Sequence, residues 1–256
     1  MIYKLVTFTM DRSESPPAPK PIPDRIAAFL AMVRVLLGYG KHLDATLPAL
    51  VGHSRFPVLA VGFGTLDLRH ILAHIERGIL RATMLQRYLL ARAKLGREIE
   101  PSPVPGPAAE AEIEALDIAL GTPRPRVARR RRKIDPDNPV HFSMPTLKEL
   151  ESQVRRRSIG RTIAEICLDL GITPGICDGG FWNDIDEALR WFGGNFAEFS
   201  ATRARRNDRF KKESDRRPDT WTWKMWEQPK DAVREMLGYA IGESPPEPLA
   251  IPPPTG

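Results

Sequence analysis

Proline placement constrains this chain more than any other feature. Five prolines lie between Pro16 and Pro23, nine between Pro101 and Pro145, and six between Pro245 and Pro254. Proline lacks a backbone donor and fixes φ, so each cluster marks chain that is neither helix interior nor central strand. Two Pro-poor blocks remain. The organisation read from this is a mostly disordered segment over 1–23, an N-terminal helical block over 24–97 and a Pro/Arg-rich linker over 98–144. A C-terminal helical block over 145–242 and a disordered Pro-rich tail over 243–256 complete it. Within the linker, Pro101–Pro107 reads as an extended spacer, and a short acidic helix has room over 108–120.

The fold class expected is all-α, because both blocks carry helical periodicity. Ile26, Phe29, Leu30, Val33, Leu36 and Leu37 recur at three- and four-residue steps, with Gly38 and Gly40 placed as a stop. Phe56–Val61 reads as a short helix opened by Pro57, since no second strand is available to pair with it. The segment Gly62-Phe63-Gly64-Thr65 reads as a tight turn; it lacks the Lys and the glycine spacing of a phosphate loop. A long stripe then runs from Leu68 to Leu95, with Thr65 as N-cap and Asp67 in the first turn.

In the second block Thr146-Leu147-Lys148-Glu149 and Thr162-Ile163-Ala164-Glu165 both match a capping box. Further helices are expected over Phe181–Phe192, from Phe196 to beyond Phe210, and from near Pro229 to Gly242. Ile166 to Ile172 has the apolar, small and Gly pattern of a helix-turn-helix. The nine residues after it hold one Pro and three Gly, too weak a composition for a recognition helix. A loop is the expectation there.

Composition removes several function classes. Two cysteines make no disulfide framework, and no Cys-x-x-Cys pair exists. Cys167 and Cys177 sit among apolar neighbours and read as buried small residues. Met1–Met10 is too short and polar for a secretory core, and no run of 18 uncharged apolar residues occurs. A cytoplasmic location is the expectation. Gly-x-Ser-x-Gly, His-Glu-x-x-His and Gly-Lys-Ser/Thr are all absent, and no catalytic residue is assigned.

Charge is the remaining signal. The chain carries a net charge of +6, and its positive residues cluster. Pro123–Lys133 contains seven bases and no acid, among them Arg129, Arg130, Arg131, Arg132 and Lys133. Arg203–Arg217 contains eight bases and three acids, including Arg203, Arg205, Arg206 and Arg209, and Trp221 and Trp223 follow it. Cations beside stacking aromatics suit a nucleic-acid surface, although a tryptophan is also ordinary core material. The leading expectation is a non-enzymatic binding or adaptor protein contacting nucleic acid, or another anionic macromolecule, through these segments.

Two alternatives have their own residues. A peripheral membrane protein would lay the Ile26–Leu37 helix against anionic lipid. A helical metal-dependent enzyme would use Asp67, His70 and His74, which share one face of the long helix. An ion there is the only cofactor contemplated. That face, which also carries Arg77 and Arg81, otherwise reads as solvated. The first block alone is small for a self-sufficient core, so it is expected to pack on the second block or on a protein partner.

Overall fold

A computed structural model describes residues 24–101, 144–215, 229–239 and 241–242. The segments 1–23, 102–143 and 243–256 lie outside the described residues, as do Trp221, Trp223 and the Arg129–Lys133 run. Among the described residues regular structure is helical, apart from isolated bridge positions such as the parallel pair Cys177 and Ile241. Eight α-helices follow in order: α1 (Asp24–Leu50), α2 (Phe56–Phe63), α3 (Leu68–Lys94), α4 (Leu147–Arg156), α5 (Ile159–Asp169), α6 (Gly179–Trp191), α7 (Phe196–Ser214) and α8 (Pro229–Leu237). The all-α expectation holds.

Several boundaries differ from the sequence reading, each for a local reason. Helix α1 does not stop at Gly38 or Gly40; its buried stripe continues through Tyr39, Leu43 and Leu47. Gly40 is a packing glycine. A Cβ there would lie 2.9 Å from Ile79 Cγ1 and 3.0 Å from a Leu170 methyl, so its small size lets α1 settle on α3 and α5. Helix α3 is capped by Asp67, whose Oδ1 accepts from Arg69 N at 3.0 Å. Thr65 Oγ1 acts one step earlier, accepting from Asp67 N at 3.1 Å. The Thr146/Glu149 capping box is present as read. Helix α5, by contrast, is capped by Ser158, and Thr162 sits one turn inside it, donating to Ser158 O at 3.0 Å. The Gly-rich stretch after α5 supplies a 3-10 turn over Pro174–Ile176, and Asp178 caps α6. Helix α8 ends before Gly238, whose φ of 79° only glycine adopts freely.

Helix α3 is the spine. It packs against α1 on one side and against α4 and α5 on others. Helix α2 is apolar all round and all eight of its residues are buried, as such a helix must be. It touches α3, α5, α7 and α8. At its end Gly62 meets the turn after α5 so closely that a Cβ would stand 2.2 Å from Gly171 O.

Residues of both blocks therefore belong to one hydrophobic cluster. Ile26, Val33, Leu36, Leu43 and Leu47 of α1 are completely buried, as are Ile163, Ile166, Leu170, Ile185 and Leu189 of the second block. Each such side chain is worth about 1.5–3 kcal/mol relative to an exposed one, so parting the blocks would forfeit much of the core. The first residues of the expected linker belong to this body too. Ile99 is buried, and its carbonyl accepts from Arg25 Nη1 at 3.3 Å.

By length and composition α1 is also apolar enough to cross a membrane. In this structure its stripe faces α3 and the protein interior.

Candidate functional site

The densest polar cluster lies where α3 crosses α5. His70, His74, Arg77 and Arg81 recur every three or four residues on α3, and Asp169 closes the last turn of α5 opposite them. Arg77 donates to Asp169 Oδ1 from Nε at 3.0 Å and from Nη2 at 2.6 Å. Arg81 Nη1 donates to Asp169 Oδ2. His74 Nδ1 lies 3.3 Å from Asp169 Oδ1 and 2.9 Å from Arg77 Nη2, while its Nε2 is 3.2 Å from His70 Nε2. An outer ring continues from Glu165, which accepts from Arg157 Nη1 at 2.5 Å and faces Arg81 Nε at 3.7 Å.

This face is not solvated, which corrects the sequence reading. Asp169 is 1% exposed, His74 0%, and His70 and Arg77 7% each. The apolar neighbours of Asp169, from Ile166 to Ile172, bury it with them. Burial by itself opposes its ionisation, but Arg81 and Arg77 beside it and its hydrogen bonds outweigh that cost, so its carboxyl titrates well below the usual range. Burial acts the other way on the imidazole, pushing His74 down to about 4 against the pull of Asp169. At neutral pH the cluster is therefore two cations on one carboxylate, with His74 uncharged.

The expected metal set is not assembled. Asp67 is taken by the helix cap, and the two imidazoles turn to each other and to Asp169. No group of three or more His, Cys, Asp or Glu suited to a metal occurs among the described residues. The adjoining crevice between Arg81, Gln153, Arg157, Thr162 and Glu165 is too narrow to admit a water molecule. What this cluster does is join the halves: Arg77 and Arg81 come from the first block, Asp169 and Glu165 from the second.

The predicted nucleic-acid residues divide. On α7, Arg205 is exposed and donates to Thr202 Oγ1 at 2.8 Å, and Lys211 and Lys212 are exposed as well. Arg203 and Arg209 are half-buried, and the Arg203 guanidinium lies 5.8 Å from the centre of the Phe199 ring. Arg206 is withdrawn from the surface, only 1% exposed, and donates to Gly62 O at 3.0 Å and to Leu168 O. Its assignment as a surface contact is corrected accordingly. The signal was available: Phe199, Arg206 and Phe210 fall on one face of α7, and two of the three are aromatic. Arg129, Arg130, Arg131, Arg132, Lys133, Trp221 and Trp223 lie outside the described residues.

The helix-turn-helix pattern leads nowhere electrostatically. Helix α6, in the position of a recognition helix, carries exposed Asp184 and Glu187, the wrong charge for a phosphate backbone.

Three residues not singled out by the sequence also meet in the interior. The His42 ring packs edge-on against Tyr239 at 5.1 Å, and Tyr39 is buried on α1 about one turn before His42. Tyr39 Oη, Tyr239 Oη and His42 Nε2 are buried and make no hydrogen bond among the described residues. Burial raises Tyr39 and pushes Tyr239 up to about 12, so both stay protonated. Cys167 and Cys177 are buried thiols, as read, and burial pushes Cys177 up to about 12.

No family model, curated protein or solved structure matches this chain.

Proposed function

We propose that this protein is a non-enzymatic binding or adaptor protein that contacts nucleic acid through positively charged segments carried on the helical body. The observation that carries the reading is the run of seven bases without an acid over 123–133. The outer face of α7 supports it with exposed Arg205, Lys211 and Lys212. Arg206 has no part in it, because its guanidinium braces α2 and α5 from inside.

The alternatives have less behind them. The membrane reading needs the apolar stripe of α1, which packs on α3. The metal-dependent reading needs Asp67 beside two histidines that instead face Asp169 and each other.

The test is a fluorescence-anisotropy titration of the full chain with single- and double-stranded oligonucleotides over a range of salt. If all seven linker charges engage duplex phosphates, the slope of log affinity on log salt approaches roughly −6. Replacing Arg129–Lys133 with Gln should flatten it by about 4.5. Absent binding, or affinity indifferent to salt, contradicts the proposal.

A further inference from the structure

Helix α3 ends in an excess of positive charge, and α4 with the entry to α5 adds to it. Residues 87–100 hold four bases and two acids, and residues 147–161 hold five and two. The fold brings these stretches together. Gly96, with φ of 63°, turns the chain back after α3, and Tyr88, Arg92, Ile99 and Glu100 then face Arg157, Ser158 and Ile159 across a groove. Six exposed bases belong to the same two stretches: Arg87, Lys94, Arg97, Arg155, Arg156 and Arg161.

Nearby acids do not cancel this charge. Glu149 is held in the helix cap, accepting from Thr146 N at 2.8 Å, and Glu151 pairs with Arg155 at 2.6 Å. Glu165 accepts from Arg157 and lies 3.6 Å from Arg161. Arg87, Lys94, Arg97 and Arg156 make no ion pair or side-chain hydrogen bond among the described residues. The acid-free run is tied to the same end. The chain leaves the described residues at Pro101, beside Glu100 of the groove, and re-enters them at Met144, one ten-residue helix before Arg157. The seven bases of 123–133 are therefore attached on both sides to this end of the body.

We infer that this end of the body, from the last turns of α3 to the start of α5, is a docking surface for the sugar–phosphate backbone of duplex nucleic acid. That role rests on the nucleic-acid reading above, and adds which form is bound and where. Single strands are held by stacking on open aromatic rings. Here Tyr88 and Phe192 are half-buried, the first with the Arg92 guanidinium 5.8 Å from its ring centre and the second edge-on to Phe29 at 4.8 Å. Trp191 is the one exposed aromatic among the described residues. It follows exposed Asp184 and Glu187 at three- and four-residue steps on α6, so its face repels phosphate. Cations without stacking partners contact phosphates and carry no base preference.

The test is fluorescence anisotropy of the full chain with a duplex, and with each of its single strands, over a range of salt. The combined variant Arg87→Gln, Lys94→Gln, Arg97→Gln and Arg156→Gln removes four exposed charges that hold nothing else among the described residues. Its melting curve by circular dichroism should therefore match that of the unaltered chain. It should flatten the duplex salt slope by about 3.6 with the 123–133 run intact. The unaltered chain should bind the duplex more tightly than either single strand, which is a reading independent of any substitution. If the unaltered chain binds no nucleic acid, this surface and the reading it rests on fall together. If replacing Arg129–Lys133 flattens the slope but the four-residue variant leaves it unmoved, or if a single strand binds more tightly than the duplex, the surface alone is overturned.

Discussion

Arg77 and Asp169 stand 92 residues apart in the chain and 2.6 Å apart in space, at the junction of the two halves. The pair, with Arg81 on the other carboxylate oxygen, is a buried ion pair between the halves. A carboxylate that is 1% exposed is tolerable only because two guanidiniums enclose it.

Removing Asp169 should therefore be costly. Asp169→Ala leaves two cations facing each other in the interior, for an expected loss of about 3–5 kcal/mol. The double replacement Asp169→Leu with Arg77→Met should lose less than the single one, because no charge of that pair is then stranded. Urea unfolding monitored by circular dichroism checks both. A double variant as unstable as the sum of the two single ones would contradict the assignment.

Acid should weaken the fold in a window set by His74. Its folded pKa is lowered to about 4 from an ordinary 6.5, so the unfolded chain holds the extra proton between these values. Stability is then fully present above about 6.5 and is lost as pH falls towards 4, by about 3 kcal/mol at most. His70, Asp169, Arg77 and Arg206 all face this imidazole or act on it. Asp169 adds a second loss at lower pH: its folded pKa lies below its unfolded value, so its contribution fades once the solution is acid enough to protonate it. In His74→Asn the decline between pH 6.5 and 4 should largely disappear. An unchanged slope would mean that His74 is not the group responsible.

The fold class and most helices were legible because apolar spacing is local. The capping box at Thr146 could be read for the same reason: its partner is three residues away. The ion cluster could not be read in this way. His70, His74, Arg77 and Arg81 form a polar stripe on α3, and a polar stripe ordinarily faces water. Only the placement of Asp169 opposite it makes that face interior, and this is a contact between distant parts of the chain. Arg206 failed as a surface residue for a similar reason, since its acceptors are the carbonyls of Gly62 and Leu168 on other helices. Gly40 looked like a stop and is a packing contact, a distinction that depends on Ile79 and Leu170.

Tyr39→Phe should leave stability unchanged or raise it. The Tyr39 hydroxyl is buried and makes no hydrogen bond among the described residues, so its removal relieves a desolvation cost of about 1–3 kcal/mol without breaking a bond. Thermal denaturation reads this directly. A clear fall in Tm would show that the hydroxyl has a partner and that this part of the core is held by it.

The halves are held as one body by a shared core and by the Arg77–Asp169–Arg81 contact, and cutting the connection between them tests this most directly. A specific protease site inserted between Gly106 and Pro107 allows the purified chain to be cleaved after folding. Cleaved protein should still elute as a single species containing both fragments, and it should unfold in one cooperative transition. Fragments that separate on a sizing column, or that melt in two independent steps, would contradict the account.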